Sequence, residues 1–152
     1  MRQKLLNVIL TNLTVFFALI SIHEISHLVM GTCLGCEYGR AVLLDSKFNG
    51  PYSEIACSGE INQFLLYISS FILTTSFGLL FLLLRSPEKN MFFIIFGLSL
   101  IFSSLDISIV TGIQSLFYPL VSLGFIFMGI GEYFIASFYI KKEMPYKESL
   151  LY

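Results

Sequence analysis

Four long apolar stretches, each about as long as a membrane-crossing helix, leave this chain few ways to fold. They run from about Leu5 to Met30, Ile61 to Leu84, Met91 to Val110 and Phe117 to Ile140. A spanning helix needs about 20 mostly apolar residues. Composition agrees: 56% of the 152 residues are hydrophobic and only 12% are charged, against roughly 25% charged in soluble domains. Mean hydropathy is +0.82. The expected fold is an all-α membrane protein, a bundle of four transmembrane helices, with residues 1–152 as one integral membrane domain in a lipid bilayer. A net charge of −1 without a basic patch gives no reason to expect nucleic acid as a partner. Arg2 and Lys4 precede the first apolar run as in a secretory signal, but Asn7, Thr11, Asn12 and Thr14 interrupt it and no small-x-small cleavage site follows. A retained helix is expected.

The segment from Gly31 to Gly59 is more polar, with Glu37, Arg40, Asp45, Lys47 and Glu54. Arg40 to Phe48 and Tyr52 to Ser58 read as two strands around the turn signal Asn49-Gly50-Pro51. The alternatives are a small β-hairpin at the membrane surface and an irregular loop. Charge sets an orientation. With four spans, Arg2, Lys4, Arg85, Lys89, Lys141, Lys142 and Lys147 share one side, and Arg40 and Lys47 the other. Cytoplasmic segments carry the excess of Lys and Arg, so both termini are expected in the cytoplasm of a multi-pass cell-membrane protein. Cys33-Leu34-Gly35-Cys36, with Cys57, reads either as apolar filler at a helix end or, on an outward-facing loop, as a source of a disulfide. Gly124, Gly129 and Gly131 suggest close helix packing in the last span, and Glu132 there reads as a polar anchor.

Chemistry concentrates in His23-Glu24-Ile25-Ser26-His27. Histidines four apart stand on one face of a helix, one turn apart, where two imidazoles can bind one Zn²⁺. Glu24 beside them suits a general base that moves a proton from an attacking water to a leaving amine. These are the two His of the chain, both in an apolar span, where ionisable side chains are costly and default to function. A third protein ligand is needed. Asp106, Glu60, Glu132, Asp45 and Glu54 are the candidates, and depth separates them. His23 stands about 10 Å of helix rise before Met30, and Asp106 about 9 Å before Gly112, at matching ends of helices that run the same way. Glu60, near the same surface, is the rival. A helix-packing aspartate bonded to Ser103 or Ser104 is the non-functional alternative for Asp106.

His23-Glu24-Ile25-Ser26-His27 followed by Ser103-Ser104-Leu105-Asp106 resembles the site-2 protease family of intramembrane zinc metalloproteases. That family carries His-Glu-x-x-His in one membrane helix and a Leu-Asp-Gly motif two helices later. The resemblance covers about residues 5–110, a three-helix core, and makes the helix at about 117–140 an addition. It implies that His23, His27 and Asp106 bind zinc, that Glu24 is the catalytic base, and that the substrate is another membrane protein cut in or near its transmembrane segment. Ile107 replaces the family's Gly, and its Asn-x-x-Pro stretch is absent. The family's Gly-Pro-x-x-Asn pattern aligns with Gly59-Glu60-Ile61-Asn62-Gln63, which offers Asn62 and Gln63 as substrate-binding residues. The family usually holds its site nearer the cytosolic face, whereas the charge count puts this one near the outer face. A strand edge within 40–58 would hold an unwound substrate segment extended. Two other readings use the same residues: a catalytically inactive relative acting as a binder or scaffold, and a metal transporter, which would have to oligomerise. A binder has no need of a base beside its ligands.

Overall fold

The computed structural model describes residues 2–43 and 51–143. Helix α1 (Arg2–Cys33) is followed by strands β1 (Tyr38–Val42) and β2 (Tyr52–Ala56), then by α2 (Gln63–Phe81), α3 (Met91–Thr111) and α4 (Phe117–Glu143). Single 3₁₀ turns at Pro87–Asn90 and Gln114–Leu116 lead into α3 and α4. Among the described residues, four segments are long and apolar enough to cross a membrane: Ile9–Cys33, Gln63–Phe81, Glu88–Thr111 and Gln114–Phe138.

Local chemistry explains where the helices stop. At the end of α1, Gly35 takes a left-handed conformation with φ of 87°. That lets the Cys36 N–H reach the Gly31 carbonyl at 3.0 Å and the Gly35 N–H reach that of Thr32 at 3.1 Å, a paired capping arrangement that glycine permits without a Cβ penalty. Helix α2 starts at Gln63 rather than Ile61 because the Asn62 side chain accepts from the Leu65 N–H at 3.2 Å, satisfying one of the free donors of a helix start. It stops at Phe81, short of the expected Leu84, while α1 and α4 run past their apolar stretches into the flanking residues.

The hairpin alternative is the one observed. β1 and β2 pair antiparallel, with Tyr38 opposite Ala56, Arg40 opposite Glu54 and Val42 opposite Tyr52. The first strand starts two residues before the expected Arg40; the rest of its expected length, 44–48, and the turn residues Asn49 and Gly50 lie outside the described residues. A disulfide joins Cys36 to Cys57, so the C-x-x-C pair does not close on itself, and Cys33 is a free, exposed thiol.

Helix α3 is the hub, packed against α2, α4 and α1. Val15 and Leu19 of α1 meet Met91, Ile94, Ile95 and Leu98 of α3 and Ile135 of α4 in the buried apolar cluster. The α3–α4 seam is closer than side chains permit. A Cβ on Gly97 would lie 2.4 Å from the Gly124 carbonyl oxygen, and one on Gly124 would lie 2.6 Å from that of Gly97. Gly131 fits against Ile94 in the same way, but Gly129 faces open space and takes no part in packing. Away from these seams the helices expose large apolar side chains, among them Phe17, Leu80, Leu83 and Phe125. Such faces suit a hydrocarbon surround and would be an aggregation hazard in water.

Candidate metal centre

Histidines 23 and 27 are buried on α1, one turn apart, with ring centroids 5.0 Å apart and planes nearly perpendicular. Asp106 comes to them from α3. Its Oδ2 lies 3.2 Å from Nε2 of His23 and 3.2 Å from Nε2 of His27. One potential ligand atom from each of the three residues falls within 4.8 Å of the others. The depth match between α1 and α3 thus becomes a direct contact.

The atoms behind these three groups show what they are prepared for. His27 Nδ1 stands 3.0 Å from the Leu66 carbonyl oxygen on α2. A carbonyl only accepts, so Nδ1 carries the proton, and in the neutral ring the Nε2 lone pair is aimed at the Asp106 carboxylate. A metal-ligating histidine is oriented by such a bond to a backbone carbonyl. Ser70 Oγ, also on α2, shares its one proton between Asp106 Oδ2 at 3.2 Å and the Tyr67 carbonyl at 3.0 Å. Two imidazole nitrogens and a carboxylate oxygen converging in a buried space are held together by positive charge between them, either a ring proton or a bound cation. The two 3.2 Å separations from Asp106 Oδ2 are close to the edge of about 3.3 Å implied by tetrahedral bonds of about 2.0–2.1 Å, and all three atoms lie within 4.8 Å of one another. The residues present therefore fit a zinc ion. The fit has one gap: buried Nδ1 of His23 has no partner among the described residues.

The carboxylate of Glu24 is buried and accepts a hydrogen bond from the Ser53 hydroxyl on β2. A cavity of about 380 Å³ opens over the group. His23, Glu24, His27 and Asp106 line it from the helices, and Ser53 and Tyr67 from the hairpin and α2. A structural zinc site closes with four protein ligands; here three candidate residues adjoin a cavity. Phe102 sets its ring 6.2 Å from that of His23, and Tyr67 sits 6.0 Å from His27.

The other candidates lie elsewhere. Glu60 is exposed ahead of α2. Glu54 pairs with Arg40 at 3.0 Å on the outer side of the hairpin. Glu132 accepts from Asn12 at 2.5 Å and so ties α4 to α1. Asp45 lies outside the described residues. Ser103 and Ser104 do not hold Asp106: Ser104 donates to the Ile101 carbonyl at 2.6 Å and Ser103 meets Ser70 at 3.5 Å. Asn62 caps α2 with its side-chain oxygen and Gln63 is exposed beside it; neither lines the cavity. Sequence reasoning missed Ser53, Ser70 and the Leu66 carbonyl. A hydroxyl inside the second apolar stretch was the one available hint, at Ser70; nothing local marks Ser53 before the strand register is known. Comparison with known families, with curated proteins and with solved structures returns no match for this chain.

Proposed function

We propose that this chain is an intramembrane zinc endopeptidase of the site-2 protease kind, hydrolysing peptide bonds in or near the transmembrane segments of other membrane proteins. The observation that carries the reading is the convergence of His23 Nε2 and His27 Nε2 on Asp106 Oδ2, 3.2 Å each, with a buried carboxylate one residue from the first ligand. When bound, zinc supplies Lewis acidity toward the scissile carbonyl and a lowered pKa for the attacking water. Glu24 takes a proton from that water and returns it to the amine nitrogen as the C–N bond breaks. The hydroxyl stays on the carbonyl carbon, so the products are one carboxylate and one amine. Leu66 and Ser70 hold His27 and Asp106 in place through these steps. The hairpin keeps an unpaired outer edge on each strand, among the described residues, that could hold a substrate segment extended.

Exposed apolar helix faces support a bilayer setting. The excess of Lys and Arg on the side of the termini supports a cytoplasmic location for both in a cell-membrane protein. The Cys36–Cys57 bond agrees with a hairpin on the opposite, oxidising side. Zinc content together with cleavage of a model membrane substrate tests the reading. Glu24→Gln is expected to keep zinc and lose at least about a hundredfold in kcat. Asp106→Ala is expected to lose zinc. Undiminished cleavage by Glu24→Gln would sink the enzyme, and full zinc retention by Asp106→Ala would move the third ligand elsewhere.

A further inference from the structure

Glu24 has a partner that metal binding does not require. Ser53 places its hydroxyl on Glu24 Oε2 and, at 3.2 Å, against the Glu24 backbone carbonyl. Among the described residues no other side chain is hydrogen-bonded to this carboxylate. Ser53 is brought there by the way β2 lies on α1. Side chains alternate along a strand, so Pro51, Ser53, Ile55 and Cys57 share a face while Glu54 turns outward to Arg40. Along α1 this face is fastened at successive levels. Cys57 is bonded to Cys36 just beyond the helix end. Ile55 lies close enough to Gly31 that a Cβ there would be 3.0 Å from it. Gly39 of β1 admits Leu28, which a Cβ would approach to 2.8 Å. Ser53 meets Glu24 at the next level, and Pro51 reaches the rim of the cavity.

This arrangement solves a problem that a glutamate base poses. Its side chain has three torsions to restrain, and a proton acceptor acts efficiently only when held at the reacting atoms. A hydroxyl on Oε2 fixes the carboxylate and leaves Oε1 to accept the proton. We infer that Ser53 is a positioning residue for the Glu24 base, delivered to the site by the hairpin rather than by the helices that carry the ligands. This rests on the hydrolase reading.

Ser53→Thr and Ser53→Val test it in the full-length protein with zinc bound, on the same model substrate. Both replacements are β-branched and suit a strand, and they differ in the hydroxyl. Ser53→Val is expected to keep parental zinc content and KM and to lose on the order of tenfold in kcat, as fits one hydrogen bond to a charged group. Ser53→Thr is expected to recover kcat. In metal-stripped protein, the Tm losses of Ser53→Val and Glu24→Gln are expected to be non-additive, a readout independent of turnover. Equal kcat in the Val and Thr variants, with Glu24→Gln inactive, would overturn the role of Ser53 and leave the protease standing. A zinc-loaded parent that cleaves nothing would overturn both.

Discussion

At the scale of single residues, the site depends on what stands behind each ligand. Asp106 is inside an apolar helix, yet its Oδ2 carries two imidazole contacts and the Ser70 hydroxyl. Removing Ser70 leaves the carboxylate in place with one fewer donor. Partners of this outer kind are worth about 10–100-fold in metal affinity. Ser70→Ala is therefore expected to weaken zinc binding by about that factor, measured by competition with a chelating dye, while Ser104→Ala, whose hydroxyl serves the Ile101 carbonyl, leaves affinity unchanged. Equal affinities in the two variants would remove Ser70 from the site. The grouping of His23, His27 and Asp106 was readable from spacing and depth, because a four-residue interval fixes a helix face and rise fixes a level. Ser70 was not, since a serine in an apolar helix has several fates. Ser99 and Ser108, on α3, simply bond the carbonyl four residues back.

At the scale of elements, the hairpin is the part whose position depends least on the bundle. It touches the helices mainly through α1, and among the described residues its own ladder has five residue pairs. Two-stranded hairpins are marginal alone, so the Cys36–Cys57 bond carries a large share of its order. Closing a loop with a sequence separation of 21 stabilises by about 3 kcal/mol on the chain-entropy scale. The Cys36→Ser/Cys57→Ser double variant is expected to exchange its Tyr38–Val42 amides at least tenfold faster, with α2 to α4 amides unchanged, in a hydrogen-exchange experiment. Unchanged hairpin exchange would mean that docking on α1 suffices; loss of protection throughout would mean that the hairpin is part of the core. The hairpin was legible as one of two options from its turn signal and alternation. The disulfide pairing was obscured because the short interval drew attention to Cys33 and Cys36. Register decides it: Tyr38 opposite Ala56 brings Cys36 and Cys57 together at the open end of the ladder.

At the scale of the whole molecule, α4 holds none of the three candidate ligands, yet it has the most extensive contact with α3, the helix that carries Asp106. The seam depends on Gly97 and Gly124 touching backbone to backbone. No rotamer change relieves a Cβ set 2.4 Å from a carbonyl oxygen; the two helices would have to separate. Because α3 also carries the central apolar cluster, a shift away from α4 would be shared with Asp106 and its contacts on α1. Gly97→Ala is accordingly expected to destabilise by about 1–3 kcal/mol, as overpacking does, and to lower zinc affinity although it lies about two and a half turns of helix from Asp106. Gly129→Ala is the internal comparison: its Cβ would meet nothing within 4 Å, and an open helical position changes stability by no more than about 1 kcal/mol, in the favourable direction given alanine's higher helix propensity. Thermal unfolding in detergent, followed in parallel with zinc titration, separates the cases. If Gly97→Ala lowered Tm with zinc affinity intact, α4 would be a stabilising buttress uncoupled from the site. A joint loss would make the glycine seam the means by which a helix without ligands sets the position of one that has them.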